Sequence, residues 1–359
     1  PRTGRLPVIA LLLSSAFAFV VVILVTPLAI RNLRRNNIGQ FIQSEVEGHM
    51  HKQGVPTMGG IVIVLGAVVG YVFAHYKVFT LGDGFGFEAQ PMDDKAILAM
   101  IALLGMALIG FADDFTKYAR KRNEGLSKRW KFSGQLIVAA VVAWGATRAG
   151  VSTELSFVRP LGIDLGPILF FLLVLFMLTA TANGVNLTDG LDGLVAGSSA
   201  LVFGAFVLIS FWQSRNTTFY NVDGAQDLAI FGAAMLGALL AFLWWNAAAA
   251  KIIMGDTGSH AIGGAMATLA ILTHTQLLLV IVGGLYVMET VSVIAQVVSF
   301  RGFGRRIFRM APIHHHFELK GWPETTVIIR FWILSGIMVA IGIGLFYADW
   351  VGDPGSIVP

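Results

Sequence analysis

Long apolar runs, separated by short polar stretches, dominate the chain. Windows of membrane-spanning character recur at about 8–30, 58–76, 95–112, 132–149, 165–182, 194–212, 226–245, 258–272, 275–300 and 326–348. Ten spans are therefore expected, which makes the chain an all-α, polytopic integral membrane protein with a single membrane-embedded domain over residues 1–359. The first window exceeds a signal-peptide core and lacks a clear small-residue cleavage site, so it reads as a span. The ninth is long and carries Gly283 and Gly284, which would permit a bend that opens a groove toward lipid.

Composition narrows the chemistry. With 56% hydrophobic and only 13% charged residues, a water-soluble domain is excluded. The chain has no cysteine, which removes disulfide frameworks, thiolate nucleophiles and zinc-thiolate sites. The formal charge of +4 comes from a few basic loops and carries no nucleic-acid signature.

Those loops set the orientation. Connections near 31–57, 113–131, 183–193, 246–257 and 301–325 hold 17 lysines and arginines, the alternate set with both termini holds seven, and Arg330 lies within the last span. Acidic residues divide evenly, ten and ten, with Glu289 inside a span. The asymmetry is thus one of basic residues, and the first set is expected to face the cytoplasm. Every unusual polar stretch falls in that set: KQGVPTMGG (52–60), FADDFTK (111–117), NGVNLTDGLDG (183–193), NAAAAKIIMGDTGS (246–259) and APIHHHFELKGWPE (311–324).

Each stretch admits a functional and a plain structural reading. Asp113 and Asp114 follow an apolar span, where a carboxylate costs about 2.5–3.5 kcal/mol at bilayer depth unless water, cations or a metal offset it. On a helix they would point about 100° apart and serve different partners; alternatively the pair ends the helix against the basic run that follows. Asn183, Asn186, Asp189 and Asp192 recur at intervals of three among glycines. They would form one slanting face if helical, suited to a nucleotide or hydrated cation, or else a polar turn. Asp256 lies in a glycine-flanked turn before a span, where Thr257 or Ser259 could cap the helix and its N-terminal amides would favour an anionic oxygen, or where Asp256 is simply the N-cap. His314, His315 and His316 lack cysteine partners and, as loop neighbours, would rarely all reach one ion, so they read better as hydrogen-bond donors to phosphate than as zinc ligands. Glu289 is either functional or paired with Arg330, and His260 reads as a buried neutral imidazole.

Five acids on one membrane face, with hard oxygen donors and no thiolates, select Mg²⁺ or Mn²⁺ over zinc. With lysines 52 and 117 nearby, the set reads as phosphate chemistry without a Walker or kinase motif. An ion-coupled transporter would place its polar groups near the bilayer midplane on paired repeats, and no repeat is visible.

The motifs PTMGG, ADDFTK, NLTDGLDGL, MGDTGS and APIHHHFELKGWPE, in that order over nearly the whole chain, resemble the polyprenyl-phosphate N-acetylhexosamine-1-phosphate transferases. The histidine run followed by PE is similar to the branch that handles a muramoyl-pentapeptide donor. The resemblance implies that undecaprenyl phosphate attacks UDP-N-acetylmuramoyl-pentapeptide at the bilayer surface, in bacterial peptidoglycan synthesis, with UMP released. It implies Mg²⁺ on Asp256 and action of Asp113 and Asp114 near the lipid phosphate, one of them as base or transient nucleophile. It further implies a uridine and phosphate pocket of Lys52, Thr57, Asn186, Asp189 and Asp192, with Lys117, Asn183, Asn246 and Gln296 contributing, and a donor clamp of His314, His315 and His316. A homodimer with external termini is also implied. Two positions depart from the family pattern: Ile253 stands where an aromatic able to stack on uracil is common, and four alanines at 247–250 replace a stretch usually containing proline.

Overall fold

The structure, a computed structural model, describes residues 6–36, 38–39, 54–80, 84–121 and 124–352. The chain runs as α1 (Leu6–Arg35), α2 (Gly60–Ala74), a hairpin β1 (Tyr76–Thr80) and β2 (Gly84–Ala89), α3 (Asp94–Arg120), α4 (Lys128–Arg148), a second hairpin β3 (Glu154–Ser156) and β4 (Pro160–Asp164), then α5 (Gly166–Thr188) and α6 (Leu194–Arg215). A short α7 (Thr217–Tyr220) precedes α8 (Ala225–Asn246), α9 (Gly255–Leu272), α10 (Leu278–Val282), α11 (Gly284–Phe303), α12 (Ile313–Glu318) and α13 (Glu324–Val351). Each expected span has a helical counterpart, the ninth as α10 plus α11. Among the described residues, six helices (α1, α3, α5, α6, α8 and α13) are long and apolar enough to cross a membrane, and α2 is a shorter apolar helix. The protein is a multi-pass, all-α membrane protein.

Local sequence explains the helix boundaries. Asp93 caps α3 by accepting a hydrogen bond from the Lys95 amide at 2.9 Å, and Ser127 caps α4. The ninth apolar run breaks at Gly283, and α5, α10 and α11 line an apolar groove that includes Phe176, Met177, Leu279, Tyr286 and Ile294. Two features differ from expectation. Two connections in a chain expected to be all-α pair as antiparallel hairpins, Tyr76 opposite Ala89 and Glu154 opposite Asp164. And α3 continues beyond Asp113 and Asp114 to Arg120, so the acid pair lies within a helix instead of ending it.

α9 sits at the centre. Every side chain from Thr257 to Leu272 is buried, against α2, α3 and α5 among others. A helix rich in Gly, Ala and Thr has no lipid-facing stripe to present, and its small side chains let neighbouring backbones approach closely. The closest approaches lie at its N-terminal end: a Cβ added to Gly110 of α3 would collide with the carbonyl of Asp256, and one added to Gly60 of α2 would collide with the Gly258 backbone. Helix packing thereby decides which side chains surround Asp256.

Candidate active site

Asp256 occupies the first turn of α9, and the segment before it is strapped to the start of α2. Ile253 N donates to Pro56 O at 2.7 Å, Gly59 N to Ile253 O at 2.9 Å and Gly60 N to Met254 O at 2.9 Å. This lacing puts Thr57 beside Gly255. From α3, Asp114 accepts three hydrogen bonds from the α9 terminus: Thr257 Oγ1 at 2.7 Å, Thr257 N at 2.9 Å and Asp256 N at 3.1 Å. It therefore satisfies backbone donors that an isolated helix would leave orphaned. Asp113, the residue before it and turned away, accepts from Leu126 N at 2.9 Å and faces two lysines. The expectation of different partners for the two acids matches this geometry.

Ligand-capable oxygens of Asp113, Asp114 and Asp256 lie within 4.8 Å of one another. Lys117 Nζ stands 2.7 Å from Asp113 and 3.2 Å from Asp256, and Lys131 Nζ stands 3.1 Å and 2.9 Å from the same two carboxylates. Asn186 Nδ2, on α5, donates to Asp256 Oδ1 at 2.8 Å and to Ser259 Oγ at 2.9 Å. Three carboxylates against two ammonium groups leave one formal negative charge in a largely buried site. Hard oxygen donors with residual negative charge fit a small dication, whose arrival would turn the net charge positive and favour a phosphate.

The cleft over this cluster is lined by Gly39, Thr57, Asp114, Lys117, Tyr118, Asn186, Asp189, Ile253, Gly255 and Asp256. Six of the sequence-proposed positions thus share one cleft, with Asp113 directly beneath it. Lys52 lies outside the described residues. The others sit elsewhere. Asn183 is exposed and donates back to Thr179 O at 2.7 Å. α5 ends at Thr188, with Asp189 as its C-cap, so the Asn183–Asp192 stripe is not a continuous helical face. Asp192 accepts from Ala250 N at 2.9 Å, and Asn246 accepts from Gly193 N at 3.1 Å and donates to Ile252 O at 2.9 Å. Both brace the 247–254 segment from behind. Gln296 binds the Ile307 and Phe308 amides at 3.0 Å, holding the loop before α12.

The histidines form α12 and have three different settings. His314 is fully buried, its Nδ1 3.1 Å from Oε1 of the equally buried Glu289, so the partner of Glu289 is His314; Arg330 instead lies over the Trp322 ring, 4.0 Å from its centroid. His315 Nδ1 meets Glu318 at 2.6 Å. His316 Nδ1 accepts from Arg309 N at 3.0 Å. Desolvation, with Lys320 and Arg309 adding to it, holds the His316 imidazole below its ordinary pKa. Gly190 packs directly against His314 and His315, which ties α12 to the turn that carries Asp189. Sequence reading missed Lys131, Tyr118 and Ser259. Lys131 sits in a basic run that serves equally well as topogenic charge, and nothing in residue type singles it out.

Comparison with known proteins places the chain among its relatives. The family description "Glycosyl transferase family 4" matches residues 96–274, a range that contains the three aspartates, Lys117, Lys131 and Asn186 but stops before α12. The chain is 49% identical to the phospho-N-acetylmuramoyl-pentapeptide-transferase of Frankia casuarinae over 96% of this chain and 99% of that protein. It is 49% identical to the same-named protein of Frankia alni, over 95% and 98%, and 45% identical to that of Streptomyces griseus, over 95% and 98%.

Proposed function

Since the chain belongs to the phospho-N-acetylmuramoyl-pentapeptide-transferase family, we propose that it moves phospho-N-acetylmuramoyl-pentapeptide from its UDP-linked donor to undecaprenyl phosphate. The products are undecaprenyl-diphospho-N-acetylmuramoyl-pentapeptide and UMP, made at the cytoplasmic face of a bacterial inner membrane for peptidoglycan synthesis. The observation that carries this reading is the meeting of Asp113, Asp114 and Asp256 with Lys117, Lys131 and Asn186.

In the reaction, an acceptor phosphate oxygen bonds to the sugar-linked phosphorus of the donor while the bond from that phosphorus to the bridging oxygen breaks, and UMP leaves with the electron pair. The acceptor phosphate, with second pKa near 6, is largely dianionic at neutral pH and needs little activation. Positioning and charge neutralisation therefore dominate the task. Lys117 and Lys131 supply fixed cations beside the reacting oxygens. Asp114 holds the N-terminus of α9, so that Asp256 keeps its place between both ammonium groups. Asp256 and Asp113 provide the oxygens that would hold Mg²⁺, which when bound offsets charge on the diphosphate. Thr57, Asn186 and Asp189 offer polar contacts in the cleft, while His315 and His316 sit on the helix that flanks the Asp189 turn. The apolar groove between α5 and α11 suits the polyprenyl chain. Direct attack is favoured over an aspartyl-phosphate intermediate, because Asp114 is engaged with the α9 terminus and Asp113 with two lysines and the Leu126 amide.

The test is UMP release by purified protein in detergent, supplied with both substrates and Mg²⁺. Asp256→Ala is expected to abolish release, and chelation to stop the native enzyme, with Mg²⁺ restoring it. Turnover that survives the substitution, or that needs no divalent ion, would overturn the reading.

A further inference from the structure

Beyond the transfer site, the end of α11 and the loop to α12 form a second polar feature with a different composition. From Thr290 to Phe317 the sequence contains no aspartate or glutamate, yet it holds Arg301, Arg305, Arg306 and Arg309. A pocket lined by Gln296, Val297, Phe300, Arg301, Arg306 and Arg309, among others, opens there, and it shares no lining residue with the Asp256 cleft.

Among the described residues, none of these four arginines makes an ion pair with a carboxylate; Arg306 rests over the Phe300 ring and Arg309 donates to the Leu319 carbonyl. The loop is nevertheless held in shape. Gln296 ties the Ile307 and Phe308 backbone to α11, Ser299 Oγ donates to Arg305 O at 2.9 Å, and the Arg309 amide is bonded to His316. Large apolar side chains flank the guanidinium groups and are left uncovered, Phe303 at 77% and Ile307 at 55% exposure, continuous with exposed Val297 and Phe300 on α11.

Cations with no carboxylate partner among the described residues, at the end of a helix with an exposed apolar face and beside uncovered apolar side chains, match the two ends of one kind of molecule. We infer that this pocket is a binding site for the headgroup of an anionic phospholipid, whose phosphate is held by Arg301 and Arg306 while its acyl chains lie along Val297 and Phe300. Charge complementarity favours that occupant, because arginines recognise phosphate with a planar fork of donors and the cytoplasmic leaflet is the anionic one. A soluble nucleotide would gain the same ionic contacts but would have no use for the apolar wall.

The experiment titrates phosphatidylglycerol, and separately phosphatidylcholine, into the full chain in detergent and counts bound lipid by native mass spectrometry. Saturable binding is expected for phosphatidylglycerol alone, weakened about thirty-fold in the double variant Arg301→Gln, Arg306→Gln and retained in Arg301→Lys, Arg306→Lys. Should the glutamine pair not fold, the native chain decides the matter: raised ionic strength must weaken phosphatidylglycerol binding, as screening of a phosphate contact requires. Equal binding of the two lipids, insensitivity to both the glutamine pair and salt, or displacement of phosphatidylglycerol by UDP would each overturn the inference.

Discussion

Lys128, Arg129 and Lys131 fall within one turn of the same helix, yet of these three, among the described residues, it is Lys131 whose side chain meets Asp113 and Asp256. Its position fixes a charge balance as well as a contact. Removing that cation by Lys131→Met leaves the cluster two charges negative, which attracts a dication more strongly and repels the diphosphate. Turnover is expected to fall by at least about tenfold, as loss of a positioned charge does in comparable sites, while the Mg²⁺ concentration for half-maximal activity falls. Steady-state UMP release against Mg²⁺ concentration checks both signs, and a rise in the Mg²⁺ requirement would contradict the charge balance. Asp256 and the Asp113–Asp114 pair stood out in the sequence because a carboxylate beside an apolar span is costly. Lys131 did not, since a lysine in a basic loop costs nothing and carries no such signal.

Among the elements, the contact of α3 with α9 matters most to the site, and it depends on the absence of a side chain. A methyl group at Gly110 would meet the Asp256 carbonyl, so the two helices would have to separate or shift along each other. Gly110→Ala is expected to destabilise the protein by about 1–3 kcal/mol or more, as overpacking of a tight core does, and to depress activity further by moving Asp256 away from Asp114. Gly204→Ala is the control: its Cβ meets nothing within 4 Å, so thermal unfolding in detergent should be unchanged or slightly raised. Comparable losses at both positions would refute the close-packing argument. At this scale the spacing of Asn183, Asn186, Asp189 and Asp192 suggested one helical face, and the end of α5 at Thr188 divides it. The Asp189–Gly193 turn then sends Asp189 toward the cleft and Asp192 toward the Ala250 amide. Polar periodicity cannot reveal a helix end where Asn, Asp and Gly suit a turn as well as they suit a ligand face.

For the whole molecule, the distribution of lysine and arginine carries the expected orientation in the bilayer, and the absence of cysteine makes it straightforward to test. Glu124, between α3 and α4, and Thr218, on α7, are both exposed and lie in loops assigned to opposite faces. In right-side-out spheroplasts a membrane-impermeant maleimide is expected to label Thr218→Cys and spare Glu124→Cys, and inverted vesicles should reverse the pattern. Labelling of both from one side would remove the basis for a cytoplasmic site. Hydrophobic run length determined the order of the long helices, because burial in hydrocarbon is a local property that each segment meets by itself, and basic-residue bias carried an expectation of sidedness for a similarly local reason. Which polar side chains share a cleft was settled only by tertiary packing. Asp256 meets Lys131, 125 positions away, with the glycine-lined contacts of α2 and α3 fixing the place of the α9 terminus, and a contact of that range leaves no mark on the sequence around either partner; Asn246 and Gln296 instead turn to brace loops nearer in the chain.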